Sequence, residues 1–165
     1  APPIRDQKNN VQLKEALVDG TLNLIATDHS PAPPTIKEIE SGNILKAWGG
    51  IAGLQFLLSA SWTSLQNVMS LEKFIPLLTE QPARFLKIDT EKGFLKEGFD
   101  ADFTIWLPEE KFTVKKEDIR HKHQISPYIG EELYGTVQQT YINGELVFSN
   151  NKILKKNCGK WLLRK

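Results

Sequence analysis

Asp28 is the residue of this sequence best placed to do chemistry. It lies in Thr27-Asp28-His29-Ser30-Pro31, after an apolar run at residues 22–26 and before the proline-broken loop Ala32-Pro33-Pro34. A carboxylate where a buried strand gives way to a rigid loop can bind a metal or move a proton at the C-terminal mouth of an α/β barrel. The same position also suits an N-cap or a turn former. His29 can orient a catalytic group or simply hydrogen-bond the backbone.

Other reactive residues have weaker contexts. His121 and His123, at i and i+2, would share one side of a strand and could form a metal pair. The run before them, residues 115–120, is charged and no third ligand lies nearby, so they read as a solvated or packing loop. Cys158 sits between Lys156 and Lys160, which favours a thiolate, but no base is evident beside it and a catalytic thiol is not expected. Gly49-Gly50 and Gly53 lack the preceding strand and the spacing of a phosphate loop. Lys155, Lys156, Lys160, Arg164 and Lys165 around Trp161 read as a solvated basic terminus.

The elements that must position these groups are α/β in character. Residues 7–19 carry a weak helical pattern through Leu13, Ala16 and Leu17, stopped by Gly20. The apolar run at 22–26 predicts a strand covered on both faces, as in parallel sheets. Ile51, Leu54, Leu57 and Leu58 fall at helical spacing, and so do Leu71, Phe74, Ile75 and Leu78 behind a capping Ser70. Pro76 predicts an irregularity in that second helix, and Pro82 a short further helix over 83–87. From Gly93 onward, β-type runs at 103–106, 111–114, 137–142 and 145–148 follow, the last two joined by Asn143-Gly144, a two-residue hairpin signal. The change of character places a boundary near residues 89–92.

Composition narrows the class. The 165 residues suffice for one domain or a piece of a larger one, and 40% apolar with 25% charged residues is globular. A net charge of +1 argues against nucleic acid as a partner. No apolar stretch approaches the roughly 18 residues of a membrane span. A lone cysteine makes a reducing compartment the default, hence the cytoplasm, with an organelle left open. The N-terminus has neither initiator Met nor signal-peptide pattern and reads as the middle of a longer chain.

Several strings, in order, cover nearly the whole chain and resemble one family. Pro2-Pro3-Ile4-Arg5, Thr27-Asp28-His29-Ser30-Pro31 and Lys92-Gly93-x-Leu95-x-x-Gly98-x-Asp100-Ala101-Asp102 resemble the cyclic amidohydrolases, which include dihydroorotases, hydantoinases and allantoinases. The strings Gly42-Asn43-Ile44-x-Lys46-Ala47-Trp48-Gly49-Gly50-Ile51-Ala52-Gly53-Leu54-Gln55 and His121-Lys122-His123-x-x-Ser126-Pro127-Tyr128-x-Gly130 are similar to the allantoinase branch. The resemblance implies an α/β fold: the C-terminal fragment of a metal-dependent TIM-type (β/α)8 barrel, with its last strand and closing helices, followed by part of a small β-sandwich. Residues 1–90 would end the barrel, and residues 91–165 would supply the sandwich segment and the C-terminal tail.

The same resemblance implies a site. It calls for a binuclear divalent metal centre, zinc by expectation, with iron, cobalt and manganese compatible. A carboxylated lysine and histidine ligands would lie upstream of this chain. Asp28 would be the one metal ligand present here and the proton shuttle. Trp48, Gly49 and Gly50 would approach the substrate. Arg5 would border the pocket or instead ion-pair with Asp6 or Glu15. The implied reaction is hydrolysis of the small molecule allantoin to allantoate in purine (ureide) degradation, by a full-length homo-oligomer with no nucleic-acid or membrane partner.

A hydantoinase/dihydropyrimidinase-like or dihydroorotase-like hydrolase is the alternative, as is a non-catalytic scaffold of the same fold. Ala32 departs from the pattern, because allantoinases usually have Cys there and dihydroorotases His. With Asp28 as its only ligand, the fragment alone is expected to be inactive and poorly soluble.

Overall fold

A computed structural model describes residues 6–162 of the chain. The first helix, α1 (Gln7–Val18), starts at Asp6, whose carboxylate accepts the Asn9 backbone N–H at 2.8 Å. None of its residues is fully buried, in keeping with its weak apolar pattern, and Leu17 is the one that packs against the core.

Residues 22–27 do not form the expected paired strand. Two backbone bonds tie this run to helices, from Leu22 N–H to the Ala16 carbonyl of α1 at 2.8 Å and from Ile25 N–H to the Leu77 carbonyl at 3.0 Å. A strand exists only through its partners, and a parallel partner is reached by a long crossover connection. No described segment pairs with this run, so its apolar pattern has no ladder to join.

A 3-10 turn (Leu54–Phe56) leads into α2 (Leu57–Leu65), so Ile51 precedes the helix that its spacing predicted. Helix α3 (Leu71–Leu78) fits its apolar pattern. Ser70 has the extended backbone of an N-cap, but its side chain makes no capping bond. Pro76 lies inside α3, and the helix breaks soon after at Thr79, whose N–H reaches the Pro76 carbonyl at 3.4 Å. Helix α4 (Glu80–Leu86) then starts before Pro82 rather than at it. The proline still sits in the first turn, where an N–H has no helical acceptor to lose.

The C-terminal half is one antiparallel sheet of β1 (Phe103–Thr113), β2 (Glu132–Ile142), β3 (Glu145–Ser149) and β4 (Lys152–Ile153), in chain order. The runs expected as two strands at 103–106 and 111–114 are one strand, irregular between Leu107 and Lys111. Pro108 lies in that irregularity, where the ladder loses nothing by its missing N–H. Its carbonyl accepts the Trp62 indole N–H at 3.0 Å. Asn143 and Gly144, with φ of 50° and 76°, make the tight turn between β2 and β3. Asp102 accepts the Asn143 N–H at 2.7 Å and also meets the Lys92 ammonium, which bonds Asp100 at 2.7 Å.

Helices and sheet share their interior. Trp62, Leu65, Met69, Phe74 and Leu77 form one cluster, and Phe56, Val114, Ile119 and Leu133 a second. The Trp62 and Trp106 rings meet edge to face at 6.0 Å. Ser59 Oγ donates to the Gly135 carbonyl at 2.7 Å, and Thr63 Oγ1 accepts the Tyr134 N–H at 2.7 Å. Phe74 is completely buried, and burial of such a ring contributes about 1.5–3 kcal/mol.

Candidate active site

Asp28 adopts a left-handed backbone, φ 45°, at the end of the apolar run. Aspartate tolerates this region better than most residues, and Glu38, Lys87 and Asn143 share it, so it is the position of Asp28 that singles it out. Asp28 is exposed and lines a cavity of about 150 Å³ together with Thr27, Ile51, Gly53, Leu57 and Tyr128. The carboxylate is therefore open to a ligand.

Its neighbour His29 is held from the opposite segment. His29 Nδ1 accepts the Leu54 N–H at 3.1 Å, which leaves Nε2 to carry the proton of a neutral ring. The His121 ring meets His29 edge to face, with centroids 5.8 Å apart. Both His121 nitrogens are buried without a hydrogen-bond partner among the described residues. Burial, reinforced by the nearby His29, holds the His121 pKa below the usual histidine range. His121 was read from sequence as loop; the structure brings it to the residue beside Asp28.

Gln55 makes that approach possible. Its Nε2 donates to the Asp118 carbonyl at 2.7 Å and its Oε1 accepts the Arg120 N–H at 2.8 Å. The side-chain amide thus pins residues 118–120 beside Leu54, and His121 follows. Beneath this loop Ile119 is buried in the second core cluster, against which Tyr128 also packs.

Residues 48–50 do not line that cavity; they adjoin it through Ile51. Trp48 is exposed, and Gly50 has φ 87°. A Cβ on Gly50 would sit 2.5 Å from the Ser30 Cβ and Oγ, so only glycine allows the two backbones this close. The Ser30 N–H bonds the Ile51 carbonyl at 2.9 Å and fastens the contact. Lys37 donates to the carbonyls of Trp48, Gly49 and Gly50 at 3.3, 2.9 and 2.7 Å. Asp28 and residues 48–50 are therefore neighbours through Ser30. Arg5 lies outside the described residues.

Ala32 is almost completely buried. At that depth a small side chain fits, and alanine brings no donor or charge towards the site.

Among the described residues no three or more His, Cys, Asp or Glu side chains converge as a metal centre. Asp28 offers one hard oxygen donor. The described residues also contain no helix long and apolar enough to cross a membrane.

Three contributors escaped the sequence reading: Lys37, Gln55 and the His29–His121 contact. Lysine and glutamine carry no local signal of the backbone groups they will meet, and the histidines meet only through the fold.

Comparison with known proteins follows the same outline. Residues 7–147 match the Amidohydrolase family. The chain is 40% identical over 168 residues to a probable allantoinase of Oryza sativa subsp. japonica, with all of this chain and 33% of the relative covered. It is 38% identical to the allantoinase of Arabidopsis thaliana, covering 96% of this chain and 32% of that protein. Among solved structures, an L-hydantoinase (dihydropyrimidinase) from Arthrobacter aurescens superposes with a TM-score of 0.88 at 30% identity, over 94% of this chain and 35% of that one. The chain thus spans about a third of the length of the curated relatives it matches.

Proposed function

The chain belongs to the amidohydrolase family, and from that premise we propose that it is the C-terminal part of an enzyme hydrolysing the cyclic amide of allantoin to allantoate. The observation that carries this reading is likeness to allantoinases along the whole chain. In this reading residues 1–90 end the barrel and residues 91–165 supply the sandwich segment and tail. The parent enzyme acts on a small molecule as a homo-oligomer in the cytoplasm.

Asp28 is the proposed catalytic residue. Opening the ring adds hydroxide to the amide carbon, breaks the C–N bond and places a proton on the departing nitrogen. A carboxylate beside the reacting atoms can accept the proton of the attacking hydroxyl and hand it to that nitrogen. Asp28 suits the task because it is exposed at the cavity and displayed by a left-handed backbone. A divalent metal, when bound, would supply hydroxide near neutrality by lowering the pKa of its water towards about 7. Asp28 would be one of its ligands and the remainder would come from outside this chain. Oxygen and nitrogen donors suit zinc first, and also iron, cobalt or manganese.

Trp48, Gly49 and Gly50 are the proposed substrate border, and Arg5 a further member of it. Ala32 favours an uncharged ring over dihydroorotate, because a substrate carboxylate left unpaired in a dry site is costly. The likeness to an L-hydantoinase favours hydantoin-type rings as the second reading. The test is an assay of the full-length enzyme on allantoin, hydantoin and dihydroorotate side by side. Allantoin is expected to have the highest kcat/KM; preference for either other ring rejects the allantoinase assignment.

A further inference from the structure

Among the described residues, Lys37 is the one side chain that gathers three successive carbonyls of the segment proposed to border the substrate. Its ammonium donates to the backbone oxygens of Trp48, Gly49 and Gly50 at 3.3, 2.9 and 2.7 Å. Those bonds use all three donors of an ammonium group. Lys37 forms no ion pair among the described residues, so the carbonyl oxygens are its counter-charge.

Three consecutive carbonyls do not turn to one point in a helix or a strand. Here the turn is made at Gly50, whose φ of 87° suits glycine. Carbonyl dipoles aimed at one place repel one another, and a cation at their focus removes the cost. Each peptide plane carries its C=O and N–H on opposite sides. The amides of Gly49, Gly50 and Ile51 therefore point away from Lys37. None of the three donates to a protein acceptor among the described residues.

The opposite flank of the same segment is fixed by the Asp28 side of the site. Gly50 abuts Ser30, and the Ile51 carbonyl accepts the Ser30 N–H at 2.9 Å. The segment is held between Lys37 and a residue two positions beyond Asp28. Lys37 itself is only half-buried and belongs to neither core cluster, so its bonds organise this loop rather than the fold.

We propose that Lys37 is a positioning residue for substrate binding, its ammonium setting the backbone of residues 48–50 against the Asp28 segment. This rests on the reading of residues 48–50 as the substrate border and deepens it. Losing the clamp leaves Asp28 in place but lets the border relax, so binding suffers more than the chemical step.

The test uses the full-length metal-loaded enzyme and allantoin. Lys37→Met keeps the apolar stem and removes the donors. It should raise KM about tenfold or more, as expected for lost charge-assisted bonds, with kcat changed by less than about threefold. Metal content and thermal midpoint should stay near wild type. Lys37→Arg, which keeps the charge and several donors, should recover part of the KM. Lys37→Gln serves the same comparison if the methionine variant does not accumulate. An unchanged KM in these variants, or a KM rise that tracks loss of metal or of the thermal midpoint, overturns the proposal. Asp28→Asn measured in parallel separates the two readings. If it abolishes turnover while Lys37→Met leaves KM unchanged, only the Lys37 proposal fails. If Asp28→Asn turns over normally, the functional reading beneath it fails as well.

Discussion

The imidazoles of His29 and His121 meet edge to face with ring centroids 5.8 Å apart, though one follows Asp28 and the other lies in the loop between β1 and β2. His29 is tied to the helical half by the Leu54 N–H, and His121 is wedged beside it, both its nitrogens buried without a partner among the described residues. The sheet half of the chain thereby supplies the wall behind the residue next to the proposed proton carrier.

This contact has a pH signature. Burial, and next the neighbouring His29, lowers the His121 pKa from its usual 6.5, so the folded state prefers the neutral ring. Well above pH 6.5 both folded and unfolded forms are neutral and the group contributes no pH dependence. As pH falls below that value, the unfolded chain takes up a proton that the folded one resists, and stability drops. His121→Phe should flatten the fall of the full-length enzyme's thermal midpoint between about pH 7 and pH 5. Identical slopes for wild type and variant would show that His121 does not control it.

Asp28→Asn keeps the size of the side chain and an oxygen ligand while removing the basic group. In the full-length enzyme kcat should fall by about 10²–10⁴-fold, the usual contribution of a positioned acid–base group. Metal content, measured on the purified variant, should stay at half or more of wild type. Near-normal turnover would remove Asp28 from the mechanism.

Gly50→Ala places a methyl 2.5 Å from Ser30 Cβ in a left-handed backbone, so Ser30 and the segment after Asp28 must shift. The expected cost is about 1–3 kcal/mol of stability with a marked loss of turnover. Gly42→Ala is the control, since Gly42 also has positive φ, 63°, but a Cβ there meets nothing within 4 Å. It should cost less and leave kcat/KM close to wild type. Equal effects at the two glycines would mean that the contact with Ser30 is unimportant.

The chain expressed by itself should neither hydrolyse allantoin nor run as a monomer. The described residues hold no cluster of three or more potential metal ligands, and apolar residues including Leu54 and Leu22 are 60% and 40% exposed. Size-exclusion chromatography should show self-association. A monomeric, metal-loaded, active fragment would contradict this outcome.

Legibility in the sequence followed the range of the interactions. Helices α1 and α3 and the Asn143-Gly144 turn are written in local signals: a cap, a 3.6-residue apolar period, two residues that accept positive φ. The break between Leu107 and Lys111 was read as two strands because Pro108 looks like an interruption, whereas the ladder absorbs it as an irregularity. The apolar run after Thr21 has the side chains of a strand, but a strand also needs a partner, and no described segment pairs with it. Asp28 and Gly50 could be singled out from the strings around them. Lys37 and Gln55 could not, because their partners are backbone atoms, which every residue possesses.

The Gln55 side chain behaves like an extra peptide group, giving one hydrogen bond to the strand-joining loop and taking one back. Two loops that share no ladder are thus paired as neighbouring strands would be, by a single removable amide. The geometry beside Asp28 is consequently not the property of the helical half alone. A substitution that displaces the loop between β1 and β2 would reach His121, and through it His29, by way of this amide. The appended sheet acts as part of the frame that tunes it.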